Sequence, residues 1–185
     1  MTDSPFLQDE ARTDELVLVD GLDQPIGHAT KERAHREGLL HRAFSVVFVR
    51  NGERGTELLL SQRAMHKYHS GGLWANACCS HPRLGEDLMD AAFRRVREEL
   101  GVEAHDLREL GSFVYRAAFA NELTEYEYDH VLLGTCAGSP APNPSEVSAV
   151  RWVTTSELAR EMADHPEHFC AWAFTVLSLA MQACA

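Results

Sequence analysis

Residues 76–101 constrain the fold more than any other stretch of the chain. They begin Asn76-Ala77-Cys78-Cys79-Ser80-His81-Pro82 and end Arg94-Arg95-Val96-Arg97-Glu98-Glu99-Leu100-Gly101. From Glu86 to Leu100, the residues Leu88, Ala91, Ala92, Val96 and Leu100 recur at helical spacing, which predicts a helix with one face laid on a sheet. Gly101 ends it, and Arg95 and Glu99 fall one turn apart on a shared face. Ahead of the helix, Cys79 and His81 lie two residues apart, on one side of an extended segment, whereas Cys78 points the other way and is expected to pack. A thiol, an imidazole and a carboxylate-bearing helix are thus joined in one segment, which can hold a metal and a proton donor side by side.

The remaining patterns supply the sheet. Glu15–Asp20 reads as a strand, 21–27 as a turn, and Lys31–Glu37 as a short helix capped by Thr30 and stopped by Gly38. An apolar strand ends at Val49, and Asn51-Gly52 is expected to turn it into Glu57–Arg63. After the basic loop 64–72, strands are predicted over 110–120 and 126–136, joined through 121–123. The proline-rich segment 138–144 is irregular, 147–153 is a strand, Thr154 opens a capped helix, and a final helix is predicted over 168–182. Strands and helices alternate without a regular βαβ rhythm. The predicted class is α+β, a mixed sheet covered by helices, with residues 1–14 a polar lead-in and 15–185 a single domain.

Composition excludes several functions. The net charge of −11, from 17 basic and 28 acidic side chains, opposes general attraction to nucleic acid or an anionic membrane. An anionic ligand would need a local basic pocket or a metal ion. No apolar run approaches the roughly 18 residues that span a bilayer, and the polar N-terminus is unlike a targeting signal, so a cytoplasmic location is expected. Five cysteines without a CxxC pair suggest neither a disulfide framework nor a thiolate zinc site. Without heptads or an apolar surface stripe, a monomer is expected.

His35, His41, His81, Glu125 and Glu127 form the candidate metal set, suited to Zn²⁺, Mn²⁺ or Mg²⁺. Ten histidines also allow many accidental combinations. Glu86, Glu98 and Glu99 offer carboxylates to a magnesium-like ion on a phosphate, although on spacing alone a solvated acidic helix face with Arg94–Glu98 and Arg95–Glu99 pairs is the simpler reading. Arg63, Lys67 and Arg95, with Lys31 further off, can contact a diphosphate. Trp172 is either core packing or a π face for a cation. Cys79 is open as nucleophile, metal ligand or proton carrier, and Tyr115 as packing or a hydroxyl at the reacting centre.

Taken together, the segments Gly38–Ser45, Gln62-Arg63-Ala64, Trp74-Ala75-Asn76, Cys79-Ser80-His81-Pro82, Leu84-Gly85-Glu86, Arg94-Arg95 through Gly101 and Tyr126-Glu127-Tyr128-Asp129 resemble the type I isopentenyl-diphosphate isomerase family, a branch of the Nudix fold. The resemblance spans roughly residues 15 to 175 and implies a Nudix-type α/β/α sandwich with a mixed central sheet. It further implies that Cys79 and Glu127 are the acid–base pair, assisted by Tyr115, and that His35, His41, His81, Glu125 and Glu127 bind a metal. Glu99 would be tied to Mg²⁺ on the substrate diphosphate, with Lys31, Arg63, Lys67 and Arg95 as cationic partners and Trp172 beside the cationic centre. No redox cofactor is implied. The rival is a Nudix diphosphate hydrolase, whose catalytic helix is similar to 86–100. Arg95 stands where that family carries a glutamate, which removes a metal ligand and favours the isomerase.

Overall fold

The computed structural model describes residues 15–185; the polar lead-in expected over 1–14 lies outside the described residues. Strand β3 (His41–Gly52) organises the sheet. Its first half pairs in parallel with β8 (Thr124–Ala137), from His41 opposite Glu127 to Phe48 opposite Gly134, and antiparallel with the short β6 (Cys78–Ser80). Its last residues pair with β4 (Gly55–Arg63), which also carries β5 (Trp74–Ala75) and β9 (Val147–Thr154). Strands β1 (Glu15–Val19) and β2 (Pro25–Thr30) extend the sheet on one side, and β7 (Glu103–Ala118) follows β8 on the other.

The apolar runs in β3, β4 and β8 exist because both faces of these strands are covered. Phe44, Val46, Phe48, Leu59 and Leu132 face α2 (Leu88–Leu100), which adds Ala91, Ala92, Val96 and Leu100 to that core. Val47, Leu58, Leu60, Val131 and Leu133 face the opposite layer, built from α3 (Thr155–Asp164) and α4 (Ala173–Ala183) through Leu158, Val176 and Leu177. Each fully buried Leu or Phe contributes about 1.5–3 kcal/mol. The result is the expected α/β/α sandwich with a mixed sheet.

Local chemistry sets the helix ends. Asp87 Oδ1 accepts from Met89 N at 2.8 Å to start α2, and Gly101 closes it at φ 64°. Helix α1 (Lys31–Glu37) runs from its Thr30 cap to Gly38 at φ 61°, and Thr154 with Glu157 forms a reciprocal capping box on α3.

Four boundaries differ from the sequence expectation. Residues 25–27, read as part of a turn, belong to β2; its mostly exposed side chains carry no apolar alternation, and the order comes from pairing with β1. The turn shrinks to a few residues because Asp20 Oδ1 accepts from Leu22 N and Gln24 N, at 2.8 and 2.9 Å. Asn51 and Gly52 remain in the β3–β4 ladder and the chain reverses at Glu53-Arg54, where Gly55 takes φ 112°. Strand β7 begins at Glu103, because register shifts absorb the irregular residues after His105 and Glu109. The last helix starts at Ala173 rather than 168, since Phe169 bridges to Trp74 and Cys170 N donates to Trp74 O at 2.9 Å, holding that segment extended along β5.

Candidate active site and metal centre

One cleft, of about 720 Å³ including its open mouth, is lined by Lys31, Arg63, Lys67, Cys79, His81, Arg95, Glu99, Tyr115, Glu125, Glu127 and Trp172. The fold assembles it at the point where β3, β6 and β8 lie side by side. Period-two alternation puts Glu125, Glu127 and Asp129 on one face of β8, and the parallel register sets Glu127 beside His41. Antiparallel pairing sets Ser45 directly against Cys79.

The histidines converge from three elements. His35 ends α1, His41 opens β3 and His81 follows β6, with ring centroids 5.0 to 6.1 Å apart. His35 Nδ1 faces Lys31 O at 2.7 Å and His41 Nδ1 faces Leu39 O at 2.8 Å. A carbonyl only accepts, so both Nδ1 atoms carry the hydrogen and both Nε2 atoms turn a lone pair inward. Donor atoms of His35, His41, His81 and Glu127 all lie within 4.8 Å of one another. His35 and His41 are fully buried, and His41 Nε2 makes no hydrogen bond. A buried, orphaned imidazole lone pair aimed at other ligands is what a metal ion satisfies, so these residues fit a divalent cation.

Electrostatics agree. Burial, reinforced by His41 and His81, lowers the pKa of His35 from 6.5 to about 2, leaving the neutral form that binds metal. His81 is lowered too, chiefly by burial. Burial pushes Glu127 up, but protons on His41 and His81 at its oxygens would outweigh that and hold the carboxyl well below its ordinary value, and a divalent cation would supply the same positive charge in their place. His81 Nε2 lies 2.9 Å from Glu127 Oε1, and the Tyr115 hydroxyl donates to Glu127 Oε2 at 2.5 Å, with Glu125 Oε2 at 3.1 Å.

Cys79 faces this group across the cleft. Asn76 Nδ2 donates to Val46 O and Cys78 O, both at 3.0 Å, which turns Asn76 Oδ1 toward the thiol. The Cys79 thiol therefore donates to Asn76 Oδ1 at 3.1 Å while accepting from Trp172 Nε1 at the same distance. Burial, then the nearby Asp129 charge, raises the thiol well above its usual pKa. Ser45 Oγ lies 2.8 Å from Asp129 Oδ2 and 3.5 Å from Cys79 Sγ. Cys78 is buried in the α2 core, as expected.

At the basic end, Arg95 pairs with Glu99 at 2.6 Å and with Glu98 at 3.1 Å, and approaches Glu146 at 3.6 Å. Lys67 meets Glu146 at 2.6 Å, Arg63 lies 5.4 Å from the Trp172 ring centroid, and Lys31 Nζ lies 5.4 Å from that of Tyr68. Glu99 is buried and its pKa raised, first by that burial. Of the three helix carboxylates only Glu99 enters the cleft. Glu86 lies before the α2 cap, bonded to Arg94 at 2.7 Å and to Arg83 N at 2.8 Å, and Glu98 serves Arg94 and Arg95.

Glu86 and Glu98 apart, the structure brings the site residues named from the sequence together at this cleft and the histidine group beside it, with four others close by. Ser45 and Asp129 lay inside recognised segments without a role, and only the β3–β6–β8 register shows their proximity to Cys79. Glu146 and His69 come from loops, whose positions periodicity does not encode. His69 lies with His35 and Glu125 in a second group of donors within 4.8 Å.

A NUDIX domain model matches residues 39–173. The isopentenyl-diphosphate Delta-isomerase of Burkholderia multivorans is 51% identical over 157 residues, 85% of this chain and 87% of that one. That of Photobacterium profundum is 47% identical, over 86% and 89%. Among solved structures, a Deinococcus radiodurans protein superposes with a TM-score of 0.70 at 22% identity, covering 92% of this chain and 98% of the other. A MutT NUDIX hydrolase from Burkholderia pseudomallei superposes with a TM-score of 0.60 at 20% identity, over 76% and 97%. These distant structures bear on the fold; the nearer sequences decide the branch. The chain belongs to the isopentenyl-diphosphate Delta-isomerase family within the NUDIX fold.

Proposed function

We propose that the protein interconverts isopentenyl diphosphate and dimethylallyl diphosphate by proton transfer, with Cys79 and Glu127 as the acid–base pair. The supporting observation is that these two groups, one a hydrogen-bonded thiol and the other a depressed carboxylate, line one cleft with Tyr115 and Trp172. Moving the double bond adds a proton at the terminal CH₂, gives a tertiary carbocation, and removes a proton from the carbon nearer the diphosphate. One group gives and the other takes. Each turnover therefore exchanges their protonation states, and the reverse reaction exchanges them back.

The aromatic wall suits the intermediate. Trp172 and Tyr115 have ring centroids 6.3 Å apart, and a π face offsets positive charge without adding to the cation. Trp172 is 3% exposed, so its indole also excludes water that would capture the cation. Tyr115 fixes Glu127 through its short hydrogen bond. A divalent cation among His35, His41, His81, Glu125 and Glu127 would supply fixed positive charge that keeps Glu127 ionised and oriented.

Lys31, Arg63, Lys67 and Arg95 form the diphosphate end, where Glu99 and Glu146 already neutralise part of their charge. Mg²⁺ on the diphosphate would engage Glu99 and leave the Arg95 guanidinium to the phosphate oxygens. The histidine-site metal is Mn²⁺, Zn²⁺ or Mg²⁺ in this reading, and the enzyme is a cytoplasmic monomer. Incubation with isopentenyl diphosphate and Mg²⁺, followed by NMR, should show the allylic isomer. Release of phosphate or pyrophosphate without it would establish a diphosphate hydrolase instead.

A further inference from the structure

A carboxylate stands where the diphosphate end of the cleft has to receive an anion. Glu146 lines the cleft with a side chain 12% exposed, in the turn that leads from the proline-rich segment into β9. Its Oε2 lies 2.6 Å from Lys67 Nζ and 3.6 Å from a guanidinium nitrogen of Arg95. Backbone hydrogen bonds build this position. Asn143 N donates to Glu99 O and Ala141 N to Leu100 O, both at 2.8 Å, which fastens the segment to the last turn of α2. Glu146 N and Val147 N both donate to Asn143 O at 2.9 Å and close the turn. Ala64 N donates to Glu146 O at 2.9 Å and Lys67 N to Ala64 O at 3.2 Å, so the turn carrying the carboxylate lies against the loop carrying the ammonium.

The backbone bonds hold the turn without help from the side chain, which leaves the carboxylate to act on the charge of the cleft. Of the four cations at this end, Lys67 meets Glu146 and Arg95 meets Glu99, each at 2.6 Å, so two of the four charges are neutralised before any ligand arrives. All four of these paired side chains are at most 12% exposed, where water screens their interactions poorly. A phosphate oxygen that reaches Lys67 must take the place of the Glu146 oxygen or lie beside it. The second course brings two anions together in a poorly solvated pocket, which is unfavourable unless a further positive charge enters with the phosphate.

We infer that Glu146 is a specificity-determining residue: a counter-anion seated on Lys67 that makes the cleft select a diphosphate complexed with a divalent cation over the bare anion. The inference rests on the reading of Lys31, Arg63, Lys67 and Arg95 as the diphosphate end, and it names the charge state that this end recognises. A repulsive group built against one ligand discriminates between two ligands just as an attractive group built for the other does. Toward bare diphosphate the Glu146 carboxylate is a like charge. Mg²⁺, when bound, supplies positive charge between the phosphates and the acidic side chains, and the same carboxylate then favours the complex.

Calorimetric titration of the full chain, its histidine centre loaded with Zn²⁺, with inorganic pyrophosphate in excess Mg²⁺ and in its absence reads this preference directly. Wild type should bind the magnesium complex at least about tenfold more tightly than bare pyrophosphate, and Glu146→Gln should bind the bare anion at least about fivefold more tightly than wild type does, narrowing the preference by at least that factor. Glu146→Asp, which keeps the charge, should keep the preference, and Glu103→Gln, an exposed glutamate outside the cleft, should leave both affinities unchanged. An unaltered preference in Glu146→Gln, or equal weakening of both forms, would overturn the inference and leave the carboxylate as an anchor for Lys67. Equal affinity of wild type for the two forms would overturn it as well, even if the variant fails to fold. Wild type that binds no pyrophosphate in the presence of Mg²⁺ would overturn the diphosphate reading together with the inference. Pyrophosphate carries no alkene, so the outcome stands apart from success or failure of the isomerase assay.

Discussion

Removing the Tyr115 hydroxyl isolates one contact of the proposed reacting centre. In Tyr115→Phe the ring keeps its neighbours Phe113 and Trp172, with centroids at 5.7 and 6.3 Å, while Glu127 loses a 2.5 Å donor and Glu125 a 3.1 Å one. A hydrogen bond to an ionised carboxylate contributes about 1.5–3 kcal/mol. If the Glu127 bond is retained through proton transfer, its loss lowers kcat by about 10- to 150-fold. KM for the diphosphate should hold within about threefold, because the hydroxyl bonds the Glu127 and Glu125 carboxylates. Circular dichroism should be unchanged, and melting should fall by a few degrees, at about 2–4 °C per kcal/mol for a chain of this size. Steady-state kinetics by NMR or by the acid lability of the allylic product would measure both constants. A kcat within twofold of wild type would refute the hydroxyl's part in holding Glu127.

Cys79→Ala and Glu127→Gln should each lower turnover by at least about 10²- to 10⁴-fold with the fold intact, and an active Cys79→Ala would remove the thiol from the proton-transfer pair. Lys67→Ala and Arg95→Ala should raise KM for the diphosphate more than they lower kcat; Arg95→Ala should also destabilise the protein by about 3–5 kcal/mol by leaving buried Glu99 unpaired, both readable from kinetics and urea melts. Metal-free protein should lose stability as pH falls below about 6.5. There the unfolded state binds a proton that folded His35, with its pKa lowered to about 2, does not, at a cost of about 1.4 kcal/mol per pH unit until about pH 2. Denaturant melts at pH 7.5 and 5.5 would show it, and equal stability at the two would contradict a buried neutral His35.

Legibility in the sequence followed the range of the signal. Helix α2 was readable because Leu88 to Leu100 repeat at helical spacing and Gly101 supplies the left-handed stop, both local properties. The capping box of Thr154 and Glu157 was equally local. Strand β2 was not readable, since its order comes from hydrogen bonds to β1 and its exposed side chains record no buried face. The same reason hid the start of α4, where Phe169 and Cys170 are held by Trp74, a residue nearly a hundred positions earlier. At the site, Cys79, His81 and Arg95 sit in one dense segment and were found as a group. Glu146 reaches the cleft, and His69 the side of Glu125, on loops positioned by Lys67 and Arg95 and by Phe119, contacts that no periodicity announces.

The central claim is that Cys79 and Glu127 move protons across an alkene rather than activate water at a diphosphate. Incubation of the metal-loaded protein with isopentenyl diphosphate and Mg²⁺ in D₂O, followed by proton and phosphorus NMR, tests it most directly. The account predicts dimethylallyl diphosphate with solvent deuterium in the methyl group formed from the terminal CH₂ and an intact diphosphate. Inorganic phosphate or pyrophosphate with no deuterated allylic product would contradict it.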